Sequence, residues 1–357
     1  MKKVLKTVLK SILWVIGIVI AAAALFLGWL TLTEYKPAET ETVGLFDSTA
    51  EEKLPGDRDI SILTWNVGYC ALGKDADFIM DGGGNAPAAT KEVVQKNIDS
   101  VASALSKMNA DVTFLQEVDA NSNRSYYIDQ RPYFSSGSSA FGINFKANFV
   151  PYPIPPIGKV ESGVFTTSRY YTKEDAARIS LPCPFSWPLR IANLKRALLI
   201  TRMPVEGSNR ELVLVNFHLE AYDGGEGKIA QTKKLLEILG EEYSKGNYVI
   251  AGGDWNQTFP GSLDVYPNTH PDLWAVGLID QNMIPDGWTI AYDSTTPTCR
   301  LLNQPYDPSD TANTQYYVID GFIVSPNIEV KSVETKDLHF ENSDHNPVLM
   351  TIGFRKE

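Results

Sequence analysis

From Ile60 onwards, short apolar segments alternate along the chain with segments of helical periodicity. Apolar, β-branched and aromatic runs predict strands at 60–67, 111–118, 196–205, 211–222, 248–256, 316–324 and 347–354. Apolar residues at helical spacing predict helices at 90–110 and 227–246. Several of the strands are apolar at almost every position, which is typical of strands buried on both faces. We therefore expect one α/β domain, with paired sheets and helices packed outside them.

The first 33 residues differ from the rest of the chain. Residues 12–32 form a run of 21 residues without a charge, which as a helix would span about 31 Å and could cross a membrane. Four lysines, at positions 2, 3, 6 and 10, precede the run, and this bias keeps an N-terminus in the cytoplasm. We expect residues 1–33 to be a cytoplasmic stub and a transmembrane anchor, with the remaining chain on the extracytoplasmic side of the cell membrane.

A cleaved signal peptide is the alternative for this run. Signal peptides usually have an apolar stretch of about 7–15 residues that ends in small residues. Here the small residues, 21–24, lie in the middle of the run, and bulky residues such as Trp29 and Leu32 lie at its end. The sequence therefore favours an uncleaved anchor.

Residues 34–57 separate the anchor from the first predicted strand. They are acidic, they contain Pro37, Pro55 and Gly56, and they show no sustained apolar period. This pattern predicts a linker, whose coil dimension would be about 25–30 Å for its length. The domain at 58–357 would then stay close to the membrane.

The chain is acidic, with 43 Asp and Glu against 32 Lys and Arg. Without the four N-terminal lysines 28 basic groups remain, so residues 11–357 carry a formal charge of −15. Such a charge repels polyanions and argues against a protein that coats nucleic acid, although it allows an enzyme with one cation-binding pocket. The three cysteines, Cys70, Cys183 and Cys299, are too few for a disulfide scaffold or a zinc cluster. One disulfide and three free thiols are both compatible with the sequence.

Polar residues interrupt or end the predicted strands at nine positions. They are Asn66, Glu117, Asn216, His218, Asp254, Asn256, Asp320, Asp344 and His345. Their positions near the C-terminal ends of apolar segments would let the side chains converge on one crevice. Taken singly, each has a structural alternative: Asp320 before a glycine suits a turn, and His218 could be an ordinary buried histidine. As an ordered set they predict a functional site.

Six motifs contain most of these residues: TWN, QE, NFHL, GGDWN, ID and SDHNPV. In this order and spacing they resemble the endonuclease/exonuclease/phosphatase superfamily over residues 58–355. That superfamily includes pancreatic-type deoxyribonucleases, abasic-site endonucleases, inositol polyphosphate 5-phosphatases and neutral sphingomyelinases. The resemblance implies that 58–357 is a catalytic domain with a four-layer α/β sandwich fold, in which two packed mixed β-sheets are flanked by helices.

The resemblance also implies a divalent metal site. Glu117 would be the main ligand, with Asn66 beside it and Asp344 close by. Hard oxygen ligands of this kind suit Mg²⁺, with Mn²⁺ as the alternative ion.

The other residues have implied roles in phosphoester hydrolysis. Asp254 would orient or deprotonate the attacking water, and Asn256 would donate a hydrogen bond to a phosphoryl oxygen. His345 would contact the scissile phosphate, with Asp320 fixing its tautomer. His218 would donate to the phosphate or to the leaving oxygen.

Substrate contacts are implied for Asn216, which would line the same pocket, and for Asn256 and His345. Arg169 and Arg196 are further candidates for phosphate contacts, and either could equally be an ordinary surface arginine.

Two segments bear on the surroundings of the site. Residues 159–170 are expected to form an edge strand by the cleft. The proline-rich segment 149–158, FVPYPIPPIG, could touch lipid, but we favour the interpretation that Phe149, Tyr152 and Ile154 close one end of the core.

We expect the protein to be a membrane-anchored phosphodiesterase that acts on a lipid headgroup or another small phosphoester. An extracellular nuclease is the first alternative, although the sequence contains no basic insert for groove binding. A non-catalytic binding module on the same fold is the second alternative, which the joint presence of Asp254, Asp320 and His345 disfavours. No obligate protein partner is evident.

Overall fold

Two seven-stranded mixed β-sheets form the body of the protein. The computed structural model describes residues 2–84, 89–310 and 312–355. The α-helices are α1 (Lys2–Leu32), α2 (Lys91–Met108), α3 (Arg131–Phe134), α4 (Glu226–Ser244) and α5 (Ser262–Val265). The strands are β1 (Thr40–Val43), β2 (Leu45–Ser48), β3 (Ile60–Asn66), β4 (Val112–Asp119), β5 (Ser138–Val150), β6 (Gly158–Ser168), β7 (Ala176–Ser180), β8 (Ala197–Pro204), β9 (Glu211–His218), β10 (Tyr248–Asp254), β11 (Gln257–Thr258), β12 (Gly277–Leu278), β13 (Thr289–Ala291), β14 (Cys299–Arg300), β15 (Tyr316–Tyr317), β16 (Asp320–Val324), β17 (Ile328–Thr335) and β18 (Val348–Phe354).

The strand order shows how the two sheets are mixed. Sheet 1 has the order β1-β7-β8-β9-β10-β16-β13, and sheet 2 has the order β17-β18-β3-β4-β6-β5-β2. The pairs β9–β10 and β3–β4 are parallel, and each therefore ends at a common edge of its sheet. These four strands carry several of the polar residues that the sequence singled out.

Alternate residues of the central strands pack on opposite faces, which explains their continuous apolar runs. In β9, Leu212 and Leu214 lie in the core between the two sheets, whereas Val213 and Val215 pack with residues of α4. In sheet 2 the same alternation separates an inter-sheet face from a face covered by α2. The layers therefore run α2, sheet 2, sheet 1, α4, and the expected four-layer sandwich is confirmed.

The ends of α2 follow from local chemistry. Thr90 caps the first turn by accepting a hydrogen bond from the backbone of Val93, and Asn109 ends the helix in the left-handed region with φ 50°. The observed helix, Lys91–Met108, lies within the predicted range of 90–110.

Residues 34–57, which the sequence predicted to be a linker, are part of the folded domain. Strand β1 pairs with β7 at the edge of sheet 1, and β2 pairs with β5 at the edge of sheet 2. Leu54 is fully buried in the core between the sheets. Both strands are four residues long and pack on one face only, so they carry no sustained apolar period that a sequence could reveal.

The end of α1 is attached to the domain by side-chain contacts. The indole Nε1 of Trp187 donates to Thr31 Oγ1 at 3.3 Å. The buried carboxylate of Glu34 lies 3.1 Å from Arg190 Nε and 3.5 Å from Lys195 Nζ. The linker prediction implied a loose tether between helix and domain. The contacts described above show that this prediction is wrong for this structure.

Other expectations about individual segments also need correction. Strand β6 is not an edge strand, because β5, whose Ser-rich and Asn-containing sequence gave no clear strand signal, covers its outer side. Tyr152 and Ile154 do not close the core, since they are 54% and 84% exposed. That end of the core is closed instead by Ile157 and its neighbours. The three cysteines are free thiols.

A fragment that begins at residue 58 should be less stable than one that begins at residue 34, because it lacks β1, β2 and Leu54. Removal of one buried leucine side chain alone costs about 2–5 kcal/mol. Urea denaturation of fragments 34–357 and 58–357 measures the difference. Equal midpoints would show that residues 34–57 are dispensable for the fold, as a true linker would be.

Candidate active site

A cavity of about 1050 Å³ lies at the edge where the parallel strands end. Seven of the nine polar residues singled out in the sequence line it: Asn66, Glu117, His218, Asp254, Asn256, Asp344 and His345. Asp320 lies directly behind this wall and is fully buried. Side chains separated by up to 279 positions in the sequence therefore meet in one place, as the strand-end pattern predicted.

Strand register brings three of these groups side by side. Asp254, the last residue of β10, is the register partner of His218 at the end of β9 and of Asp320 at the start of β16. Register partners lie about 5 Å apart with their side chains on the same face of the sheet. Sheet pairing alone therefore places two carboxylates and an imidazole next to one another.

Asp254 is the hub of the hydrogen-bond network. Its Oδ2 atom accepts a hydrogen bond from Asn66 Nδ2 at 3.0 Å and lies 3.3 Å from His218 Nε2 and 3.8 Å from His345 Nε2. Its Oδ1 atom accepts from the backbone of Asn256 at 2.9 Å. Burial and the negative charge of Asp320 raise the pKa of the Asp254 carboxyl above its ordinary value.

Glu117 reaches the cavity because the backbone is irregular at that point. The register of β4 against β6 shifts between Leu115 and Val118, which is a β-bulge, and Glu117 has φ 56°. Positive φ is unusual for a residue with a long side chain and is found most often at functional sites. The Glu117 carboxylate accepts from Asn66 Nδ2 at 3.2 Å, so Asn66 bridges it to Asp254.

His345 and Asp320 form a buried pair. The Nδ1 atom of His345 is 2.8 Å from Asp320 Oδ2, and the His345 backbone carbonyl accepts from the indole of Trp65 at 2.9 Å. Burial alone would lower the pKa of His345, but the Asp320 carboxylate outweighs burial and raises this pKa well above its ordinary value. The His345 Nε2 atom lies 3.8 Å from Asp254 Oδ2.

The pKa of His218 is shifted in the opposite direction. Burial, together with the positive charges of Arg196 and His345, lowers its pKa well below the ordinary value. The pKa values of the two histidines are thus shifted in opposite directions. Neighbouring groups whose pKa values are driven apart are the arrangement that general acid–base chemistry needs.

The comparisons with known proteins agree with this geometry. A model of the Endonuclease/Exonuclease/phosphatase family matches residues 63–345. The chain belongs to the endonuclease/exonuclease/phosphatase family. Its members are metal-dependent phosphoester hydrolases, so the protein is an enzyme of this class.

Solved structures show the same fold at low sequence identity. An endonuclease/exonuclease/phosphatase from Beutenbergia cavernae DSM 12333 is 17% identical, with a TM-score of 0.53 over 84% of this chain and 72% of that one. One from Bacteroides vulgatus is 16% identical, with a TM-score of 0.51 over 84% of this chain and all of that one. No curated protein sequence gives a significant match.

The oxygen donors of the site fit a divalent cation. Glu117 and Asp344 both line the cavity, and burial together with the Glu117 charge raises the pKa of Asp344 to about 7. Carboxylates assembled in one site repel one another, and a hard cation such as Mg²⁺ relieves this repulsion. Because Gly68 has no side chain, the Asp344 carboxylate can approach the backbone at that point. A Cβ atom at Gly68 would lie 2.8 Å from Asp344 Oδ1.

Two details differ from the expected ligand set. Asn66 directs its Nδ2 group to Glu117 and Asp254, while its amide oxygen accepts from the backbone of Gly68 at 3.0 Å. Its position is that of a residue that orients the carboxylates. Potential metal-ligand atoms of Asp254, Asp320 and His345 also lie within 4.8 Å of one another. Asp320 Oδ2 and His345 Nδ1, however, are already engaged in the hydrogen bond between these two residues.

Asn216 is not among the described residues that line the cavity. Its Nδ2 atom donates to the carbonyls of Leu115 at 3.2 Å and Phe165 at 3.0 Å, and its oxygen accepts from Gln116 Nε2 at 2.8 Å. It therefore ties the two sheets together one pleat below His218. The sequence predicted that Asn216 contacts the substrate. In the structure the residue is fully buried and its carboxamide is hydrogen-bonded within the protein, so its role there is structural.

The two candidate arginines lie in different environments. Arg169 is at the surface, where it is bonded to Asp111 and Asn109, and it is not among the described cavity residues. Arg196 lines the cavity and is 4% exposed, and its Nε and Nη1 atoms have no hydrogen-bond partner among the described residues. Its nearest charge is Glu220 Oε2, 3.7 Å from Nε. Of these two arginines, Arg196 is the one placed to meet an anion in the cavity.

Further cavity residues gave no signal in the sequence. Arg124 stacks on the ring of Tyr69 at 3.7 Å and pairs with Asp119 at 2.9 Å, and Arg300 donates to the Gly73 carbonyl at 2.9 Å. Arg124 lies in a short 3₁₀ helix, Asn123–Ser125, and Arg300 in a two-residue strand. Both are away from the long apolar strands whose ends mark the site, so only the folded chain reveals them.

Asn216→Ala should lower the free energy of unfolding by about 2–4 kcal/mol, because two buried carbonyls and the Gln116 amide lose their partner. Urea denaturation measures this, with Asn282→Ala as a control at an exposed asparagine. Unchanged stability combined with weaker substrate binding would instead restore Asn216 as a pocket residue.

Proposed function

We propose that the protein is a membrane-anchored phosphodiesterase, dependent on Mg²⁺ or Mn²⁺, that cleaves a lipid headgroup or another small phosphoester on the extracytoplasmic side. One observation carries the proposal. The His345–Asp320 pair lies beside Asp254 in a cavity whose wall also holds Glu117, and this combines a proton donor, a proton acceptor and a cation ligand.

The reaction is RO–PO₂⁻–OR′ + H₂O → ROH + R′O–PO₃H⁻. Water adds to phosphorus, one P–O bond breaks, and the leaving oxygen takes up a proton. The anionic oxygens of a phosphodiester repel the nucleophile, so the substrate needs positive charge and an oriented water. A divalent cation held by Glu117 and Asp344 would supply part of that charge and polarise the phosphoryl group.

Asp254 accepts the proton of the attacking water. A carboxyl with a raised pKa is a better base near neutral pH than an ordinary aspartate, since catalytic groups work best when their pKa is close to the operating pH. Asn66 and the Asn256 backbone hold the carboxylate in one orientation. Asp254 therefore needs no reorganisation at the moment of reaction.

His345 and Asn256 bind the phosphoryl oxygens. His345 donates through Nε2 while Asp320 holds Nδ1. Asn256 donates one amide hydrogen to the Leu219 carbonyl at 2.9 Å, and a carboxamide has a second hydrogen for the substrate. His218 donates to the phosphate or to the leaving oxygen, and Arg196 adds a positive charge.

The N-terminal helix supports membrane anchoring. Among the described residues, one helix, Lys3–Leu32, is long and apolar enough to cross a membrane, with a mean hydropathy of 2.5 and none of its most apolar window buried. The lysines that precede the apolar run support an extracytoplasmic catalytic domain by charge bias. A nuclease is disfavoured because the formal charge of −15 outside the anchor repels a polyanion.

Asp254→Asn and His345→Gln should each lower kcat at least about a hundredfold, because each removes a proton-transfer or charge-stabilising group. Hydrolysis of bis(p-nitrophenyl) phosphate by the full chain in detergent with Mg²⁺ measures this. Arg169→Ala, at the surface arginine, is the control and should leave kcat within about twofold. Circular dichroism checks that a loss of kcat does not come from unfolding. Retention of kcat in either site variant would refute the mechanism.

Glu117→Gln should raise the Mg²⁺ concentration for half-maximal activity at least about tenfold, because a neutral amide is a much weaker ligand for a hard cation. Isothermal titration with Mn²⁺ provides a second readout that does not depend on turnover. Glu329→Gln, at an exposed glutamate, is the matched control. Activity that survives removal of divalent ions by a chelator would contradict the metal dependence.

A further inference from the structure

The cavity is larger than the polar site and has a second, apolar part. This apolar wall is formed by Leu27 and Leu30 at the end of α1, by residues 150–157, and by seven of the ten residues in segment 185–194. Most of these residues are apolar, and they share the cavity with the polar groups of the site. A small water-soluble phosphoester would leave this wall without a partner.

Direct contacts hold α1 against the apolar wall. The rings of Phe26 and Phe149 meet edge to face, with centroids 5.7 Å apart. Trp187 and Arg190 bond to Thr31 and Glu34 at the end of the helix. The cavity mouth therefore has a fixed position along the helix axis.

That position lies at the depth of a membrane interface. The apolar run ends at Leu32, so Leu30 and Leu27 lie about 3 and 7.5 Å below its end at 1.5 Å per residue. Apolar groups of interfacial proteins typically enter the headgroup and acyl boundary by about 5–10 Å. When α1 spans a bilayer, the apolar wall is level with the first carbons of the acyl chains.

The rim of the cavity carries exposed apolar side chains that suit this level. Ile154 and Leu189 are 84% and 69% exposed, and Tyr152 and Trp187 are 54% and 51% exposed. Tyr and Trp are enriched at membrane interfaces, where their polar atoms meet headgroups. These side chains lie on the same two segments that form the apolar wall and contact α1.

We propose that the substrate is a phosphodiester lipid of the leaflet in which α1 ends, and that its chains enter the cavity between α1 and segments 150–157 and 185–194. The rim docks on the bilayer, and the headgroup phosphate extends from there to Glu117, Asp254 and His345. The inference rests on the proposed function, to which it adds the substrate class and the route of entry.

A lipid panel tests the substrate class. The full chain is reconstituted in vesicles that contain phosphatidylcholine, phosphatidylethanolamine, phosphatidylglycerol or sphingomyelin, and bis(p-nitrophenyl) phosphate serves as the soluble substrate. We expect hydrolysis of at least one lipid, with kcat/KM at least about tenfold above that of the same headgroup phosphodiester without acyl chains, because the chains bury apolar surface. If the soluble substrate is cleaved and none of the four lipids is, the inference fails and the proposed function stands. If neither is cleaved, both fail.

Rim variants test the docking surface. Leu189→Asp and Ile154→Asp should lower lipid hydrolysis at least about tenfold more than they lower hydrolysis of the soluble substrate, because a charge at the interface opposes insertion. Leu278→Asp is the matched control, because Leu278 is 58% exposed and is not among the described cavity residues. Equal effects on both substrates, or a loss in the Leu278 variant as large as in the rim variants, would overturn the docking.

A label provides a readout without turnover. Cys183 is the exposed cysteine and Cys70 and Cys299 are buried, so a Cys183→Ser background accepts a single fluorophore at Ile154→Cys or, as the control, at Leu278→Cys. In vesicles, quenching by iodide should be at least about threefold weaker at position 154 than at position 278, since the bilayer excludes the ion. Equal quenching at the two positions would contradict docking of the rim.

Discussion

The two sheets face each other through a layer of side chains, and the candidate active site is the open end of that layer. In β10, Ile250 lies in the core between the sheets, and Asp254 follows on the same face two pleats later. In β16 the same relation joins Phe322 to Asp320. Because side chains alternate strictly along a strand, a slip of one residue would turn Asp254 towards α4 and remove it from the site. The register that builds the core therefore also builds the site.

Glu117 departs from this strict alternation of side chains along a strand. Phe114 lies in the layer between the sheets, and Gln116, two residues on, reaches Asn216 of the opposite sheet, so regular pleating would direct Glu117 to the α2 side. The bulge and the positive φ of Glu117 return its side chain to the cavity. Such a conformation costs on the order of 1–3 kcal/mol, which well-packed neighbours must offset. A carboxylate next to other carboxylates adds repulsion, so strain and charge are concentrated where a cation is expected.

Much of this arrangement could be predicted from the sequence, because the central strands are apolar on both faces and polar only at their ends. The edge strands β1 and β2 could not be predicted, since a strand packed on one face over four residues resembles a loop. Asn216 and His218 show a second limit. Both face sheet 2, but whether a polar residue there reaches solvent or a buried partner depends on Gln116 of the other sheet. Likewise, no local pattern distinguishes Arg196, buried at the cavity, from Arg169 at the surface.

Attachment of the domain to α1 fixes the orientation of the site relative to the helix. Seven residues, 33–39, lie between the end of α1 and the start of β1, and the buried Glu34 among them pairs with Arg190 and Lys195. A flexible linker of 24 residues would let the domain rotate, so that any face could meet the membrane. With α1 fixed against the cavity mouth, a spanning helix determines which face meets the bilayer, and that face is the one with the apolar rim. A lipid phosphate would then reach Asp254 by moving along the cavity while the acyl chains stay in contact with apolar side chains. Because those chains would not be exposed to water, the free-energy cost of exposing them would be avoided.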